Sequence, residues 1–263
     1  MELNLHEWGS ASAPVVVCLH GVNAHGRRFR RLAEERLAAQ FRVLAPDLRG
    51  HASSDWEPPW TIATYAHDVL ETLDAVGVRR ASWIGHSFGG RLILELAALA
   101  PERIERALLL DPAIQLLPHV GFDFAERERD DHSYADAEEA IAARLELGTP
   151  TPRKHLDEEM AEHLVHHADG RLRFRYCRSA VVALYGELCT PPPPPETLRV
   201  PTLLVHAGEF GLVREDQIDS YRAALGDLLE VVEVPGGHMV YWDAYEETAD
   251  AVQRFLENAR PER

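Results

Sequence analysis

Residues 83 to 90 read WIGHSFGG, and Ser87 is the side chain in that stretch with chemistry to offer. A serine in a loop ordinarily hydrogen-bonds a neighbouring backbone group and does nothing more. Here, however, Gly85-His86-Ser87-Phe88-Gly89 stands between the apolar run ASWI and the helical run GRLILELAALA. A G-x-S-x-G serine in such a strand-to-helix turn is a candidate nucleophile. The flanking glycines then have a steric reason, because a sharp turn that strains the serine backbone needs neighbours without a Cβ where strand and helix approach. A serine hydroxyl also needs a base. Of the 14 histidines, His238 in VPGGHMVYWD follows the last strand-like run and its Gly-Gly turn, at the edge where Ser87 would emerge. Imidazole titrates near about 6.5, so it can take the serine proton and return it to a leaving group.

The elements that must position these two residues are legible as alternation. PVVVCLHG, FRVLAPD, RASWIGHS, RALLLDPA, PTLLVHAG and LLEVVEVPGG are strand-length apolar runs ending at Gly, Pro, Asp or His. Such near-continuous apolar strands suit a parallel sheet covered on both faces. Between them Phe29, Leu32, Ala33, Leu37 and Phe41 recur at helical steps, as do Ala66, Val69, Leu70 and Leu73; Val252, Phe255 and Leu256 give a last helix the same stripe. The expectation is an α/β fold with a mostly parallel, doubly wound sheet. From Ile114 to Leu198 the pattern offers no strand, and SYADAEEAIAARLEL, HLDEEMAEHLVHH and YCRSAVVALYGEL read as helices, with Ser133 and Asp136 placed for a capping box. This is an inserted helical cap, residues 115–197, closed by the stiff spacer TPPPPPE. The core is then 1–114 with 198–263.

Composition narrows the function classes. A chain of 263 residues that is 46% hydrophobic can bury a large core. Lys plus Arg number 27 against 43 Asp plus Glu, and a net charge of -16 disfavours nucleic acid and anionic lipid as partners. The N-terminal MELNLHEWGS has neither a basic nor an apolar leader region, and no run approaches a membrane span, so a cytoplasmic location is expected. Cys18, Cys177 and Cys189 form no even framework, and Cys18 reads as a small core residue. His163, His166 and His167 lie at helical spacing but lack a second ligand cluster, and read as a solvated helix face with no metal. The cluster RRFRR at 27–31 reads as a surface face around a core-facing Phe29, with His25 or Arg27 at a pocket mouth. Trp56, Trp60, Phe122, Phe124, Tyr176 and Tyr185 are candidates either for the cleft under the cap or for packing.

With GHSFGG, GGHM, LHGVN and DLRGHASSD together, the chain resembles the α/β-hydrolase fold superfamily, in its cap-bearing esterase and lactonase-like branch. The match covers nearly everything outside the cap. In DLRGHASSD the family's second glycine is Ala52, and Asp47, Arg49 and His51 of that motif are expected to be structural. The resemblance implies an oxyanion hole built from the backbone N–H groups of Val22 and Phe88. It also implies an acid to orient the histidine, which is where this chain departs. Relatives carry an aspartate three residues after the glycine that ends the family's seventh strand, and AGEFGLV puts Gly211 there. Two substitutes exist: Asp111, ending RALLLDPA one strand earlier, and Glu209 in the loop itself. Asp111 preserves the order serine, acid, histidine, and a carboxylate directly after a buried apolar run is harder to explain as decoration.

The expected function is a cofactor-free serine hydrolase of esters or lactones of small, largely apolar substrates, with Ser87, His238 and Asp111 as triad. A carbon–carbon bond hydrolase or perhydrolase would use the same residues, and a slow-turnover ligand receptor would keep them for binding. No metal or cofactor is expected, and the assembly is a monomer or homodimer.

Overall fold

The computed structural model describes residues 3–146 and 151–258. Its strands and helices, in chain order, are β1 (Leu5–Trp8), β2 (Val15–Leu19), α1 (Arg30–Leu32, continuing as a π-helical stretch Ala33–Leu37), β3 (Arg42–Pro46), α2 (Ile62–Ala75), β4 (Ala81–His86), α3 (Phe88–Leu99) and β5 (Ile104–Leu110). The insertion follows: α4 (Pro118–Arg129), α5 (Ala137–Glu146), α6 (Arg153–His163), β6 (Leu164–His166), β7 (Leu172–Phe174) and α7 (Arg178–Leu188). The chain then returns through β8 (Thr202–Ala207), α8 (Glu215–Leu225), β9 (Leu229–Val234), α9 (Val240–Asp243) and α10 (Tyr245–Glu257).

Seven strands form one sheet in the order β1-β3-β2-β4-β5-β8-β9, parallel except for the edge strand β1, which pairs antiparallel with β3. The six apolar runs of the sequence are its six parallel strands. Because successive side chains alternate faces, β2 sends Val17 and Leu19 into one apolar cluster with α2, α3 and α8, and Val16 and Cys18 into another with Phe29 and α10. Cys18 is fully buried, and burial pushes its thiol up, away from the reactive thiolate. No helix among the described residues is long and apolar enough to cross a membrane.

Several local expectations are corrected. The strand β1, LHEW, is half-buried and carries two adjacent polar residues, so it lacks the continuous apolar signal of its neighbours. The insertion is not purely helical: LVH and LRF pair as the short antiparallel hairpin β6–β7. The helix α4 was not among the helical stretches expected; it starts with a proline, which suits a first helical turn, and carries a weak apolar stripe. In α5 the cap is Asp136, whose Oδ1 accepts from the Glu139 amide at 2.9 Å. Ser133 instead accepts from Arg171 Nε at 3.1 Å, outside the helix.

The insertion has little core of its own. Ala140, Ile141, Leu156 and Met160 form a small cluster, while Leu184 and Leu188 of α7 join the larger cluster of the sheet. Its return strap is pinned at Pro191, whose carbonyl accepts from Arg91 Nη2 at 3.1 Å on the helix after Ser87.

Candidate active site

Ser87 sits between β4 and α3 with φ 53° and ψ -115°, a backbone conformation that an L-residue adopts only under constraint. The constraint is visible on both sides. The Ser87 amide donates to Leu110 O at 3.1 Å, and its carbonyl accepts from Gly90, Arg91 and Ala113. The glycines are required by contact: a Cβ at Gly85 would lie 2.4 Å from Gly89 O, and one at Gly89 would lie 2.0 Å from Leu19 O. Gly21 lets the loop after β2 close on the elbow, since even its absent Cβ would approach Ser87 Cβ at 3.1 Å. Val22 therefore follows directly on a residue packed against the serine. Phe88 is the first residue of α3, where amides have no intrahelical acceptor.

The structure brings His238 and Asp111 together. His238 Nδ1 donates to Asp111 Oδ2 at 2.5 Å, and Asp111 Oδ1 accepts from the Ala207 amide at 3.1 Å. Asp111 is fully buried, has a positive φ of 40°, and donates its own amide to Val205 O at 2.7 Å. The end of β5 is thus bent so that its carboxylate crosses the end of β8. Glu209 is exposed, and no hydrogen bond joins it to His238 among the described residues. Gly211 has φ +69° and open space around its Cα.

His86, beside the serine, was not singled out in the sequence, and the structure places it against His238. Its Nε2–H donates to the His238 carbonyl at 2.9 Å, and the two rings lie 4.5 Å apart between centroids, with Phe210 stacked on His238 at 5.1 Å. Burial holds the His86 imidazole well below its ordinary pKa, and the nearby His238 adds to that. A neutral ring with Nε2–H leaves Nδ1 bare, and Nδ1 has no partner among the described residues. Its sequence signal was the position itself, inside G-x-S-x-G.

The DLRGHASSD loop is structural. Asp47 accepts from the Gly26 amide at 2.8 Å, from Asn4 Nδ2 at 2.7 Å and from His6 at 3.1 Å. Arg49 forks onto Asp68 at 2.6 and 2.7 Å, and His51 Nδ1 donates to Arg49 O at 2.8 Å. Ala52 keeps the left-handed backbone of the glycine it replaces, at φ 44°.

Two surface readings are overturned, and the set of aromatic residues expected in the cleft or in packing is corrected in part. His163 is fully buried at the end of α6, and His166 lies in β6, so these histidines share no solvated helix face. Arg28 of RRFRR is buried against Glu159 of the insertion, although Phe29 does enter the core. Phe122 is 63% and Trp56 39% exposed, so neither is enclosed in a cleft, while Phe124 packs on Tyr185 with the rings tilted and their centroids 5.3 Å apart. A depression of about 350 Å³ on the insertion is lined by Trp56, Tyr176 and Cys177 among others, and Ser87, Asp111 and His238 are not part of its wall.

Comparison with known proteins agrees with this architecture. Residues 14–147 match the model of the alpha/beta hydrolase fold family. The chain is 32% identical over 247 residues to lipase LipV of Mycobacterium tuberculosis, covering 91% of this chain and 92% of that one. It is 26% identical to esterase YbfF of Escherichia coli, covering 92% of each. Among solved structures, E-2-(acetamidomethylene)succinate hydrolase superposes with a TM-score of 0.88 at 23% identity, over 97% of this chain and 95% of that one. The chain belongs to the α/β-hydrolase fold family.

Proposed function

We propose that this protein is a serine hydrolase that cleaves esters or lactones of small, largely apolar compounds through an acyl-enzyme, with no cofactor. The observation that carries the reading is the strained Ser87 at its strand end, together with a histidine whose Nδ1 is committed to a buried aspartate and whose carbonyl is bonded by His86, the residue before the serine. With Nδ1–H bonded to Asp111, the neutral imidazole presents Nε2 as an acceptor. Ser87 Oγ attacks the carbonyl carbon and its proton passes to His238 Nε2. Asp111 stabilises the imidazolium that forms. The amides of Val22 and Phe88 receive the charge on the carbonyl oxygen, a contribution worth about 10² to 10³ in rate per donor. His238 then gives the proton to the leaving alkoxide, and water repeats the sequence in reverse to release the acid.

The similarity to a lipase and an esterase over nine-tenths of the chain supports ester chemistry. The insertion between β5 and β8 emerges at the carboxyl edge of the sheet, where sites of α/β folds lie, and we assign it the selection of substrates. Steady-state assay on a panel of p-nitrophenyl esters and lactones tests the reading. Repeated turnover that disappears in Ser87→Ala is the expected result. A single slow turnover with tight ligand retention would instead favour a receptor.

A further inference from the structure

Charge is concentrated where the insertion meets the segment that follows β2. Arg27, Arg28 and Arg30 face Glu158, Glu159 and Glu162 of α6. The outer pairs, Arg27 and Arg30 with Glu162 at 3.1 and 2.5 Å, are partly exposed and contribute little. Inside them Glu159 is 2% exposed and collects four cationic or imidazole donors' hydrogens from three residues. Arg28 reaches both carboxylate oxygens from Nε at 3.1 Å and also bonds Oε1 through Nη2. His25 Nε2 donates to Oε2 at 3.0 Å, and His163 Nδ1 to Oε1 at 3.1 Å. Burial would raise the Glu159 carboxyl, but Arg28 and then His25 and His163 hold it well below the usual carboxylate range.

The donor atoms of His25, Glu159 and His163 lie within 4.8 Å of one another, as metal ligands would. Arg28 already occupies the carboxylate, and Arg144 Nη2 stands 3.9 Å from it. Two guanidinium groups would repel a cation there, so the cluster is suited to gripping an anion and not to binding a metal.

What Glu159 grips is the segment that carries the Val22 amide. Arg28 Nη2 reaches Asn23 O at 3.5 Å, and Asn23, with its positive φ of 52°, is tied to the insertion through Glu128, whose Oε1 accepts from Asn23 Nδ2 at 3.3 Å. Glu128 is itself held by the Tyr176 hydroxyl at 2.9 Å. We propose that Glu159 is a positioning residue: by fixing Arg28 and His25 from the insertion, it sets the Val22–Arg28 segment and hence the Val22 oxyanion donor. The site is then complete only with the insertion docked. This rests on the serine-hydrolase reading given above.

Two variants test it. Glu159→Gln keeps the shape and removes the charge. Arg28→Met with Glu159→Leu removes both partners together, a change that need not destabilise a buried pair and so keeps the fold testable. Each is assayed on a short p-nitrophenyl ester and for inhibition by phenylboronic acid, whose serine adduct places a charged oxygen in the oxyanion hole. The expected result is a kcat lower by about 10² to 10³, the cost of one oxyanion donor. KM should change by less than about threefold, and boronate affinity should fall in proportion to kcat/KM. Folded variants with kcat and boronate affinity within about twofold of the parent would overturn the proposal. Failure of both variants to fold would also overturn it, since Glu159 would then serve the fold and not the amide. A parent protein that cleaves no ester and takes no fluorophosphonate on Ser87 would sink the serine-hydrolase reading itself, a separate outcome.

Discussion

At the carboxyl edge of the sheet, candidate groups are placed by the strand they end. Ser87 is one residue past β4, Asp111 is one residue past β5, and His238 follows the turn after β9. Backbone bonds between neighbouring strand ends, such as Asp111 N to Val205 O at 2.7 Å, finish the alignment. At the seam between insertion and core the opposite holds. His25 and Glu159 are 134 residues apart in sequence, and side-chain charge brings them together. The first region tolerates almost no change in backbone, because its glycines are filled by neighbouring chain. The second depends on one carboxylate meeting the right cations. Geometry set by packed strands is rigid, whereas geometry set by a buried ion pair can be removed as a unit.

The largest effect we predict falls at the sheet edge. Asp111→Asn should lower kcat by about 10⁴, because an amide nitrogen facing His238 Nδ1 favours the wrong tautomer. Its melting temperature should stay near that of the parent, since the Asn oxygen still accepts from Ala207. A loss below about tenfold would break the claim that this strand end supplies the acid.

The next prediction spans both regions. Burial lowers His51 near the sheet edge and His163 at the seam to about 4, and it lowers His20 and His86 as well. An unfolded histidine takes its proton near about 6.5, so the stability these rings contribute is complete above that pH and falls as pH drops toward 4. For His51 and His163 the loss between pH 7 and pH 5 should be roughly 2 kcal/mol each. Urea unfolding at the two pH values measures it, and equal stabilities would show that the rings are charged inside the fold. Hydrogen exchange at pH 5 sharpens the comparison by reporting loosening in α6 and in the β3–α2 loop separately.

Gly89→Ala should destabilise by about 1–3 kcal/mol, because its Cβ would meet Leu19 O at 2.0 Å and the strand must shift. Urea unfolding of that variant gives the value, and an unchanged midpoint would mean the elbow has slack. The smallest effect is expected from Glu209→Gln, whose carboxylate is exposed; kcat should stay within about twofold. A crippling loss there would transfer the acid to the loop after β8.

The same contrast governs what could be read from the sequence. Val15–Leu19, Ala81–His86 and Thr202–Ala207 are legible because a strand buried on both faces must be apolar throughout. The partner of His238 was legible in part, because Asp111 is a carboxylate closing such a run. The strand β1 and the hairpin β6–β7 escaped because strands of four and three residues carry too few positions to show a period. Glu159 escaped because HLDEEMAEHLVHH offers three other acidic residues, Asp157, Glu158 and Glu162, that look alike. Its signal was spacing: His155, Glu159 and His163 recur every four residues on the buried stripe that also holds Leu156 and Met160. Arg28, its partner, is one of the four arginines of RRFRR and gives no local sign of burial.

The central claim is that the strained serine at the end of β4 is the nucleophile, and covalent labelling tests it most directly. A fluorophosphonate should add one equivalent to the parent protein, and mass spectrometry of the digest should place it on Ser87. Ser87→Ala should take up none while unfolding at the same urea concentration as the parent. Label found on another serine, or retained by Ser87→Ala, would contradict the account.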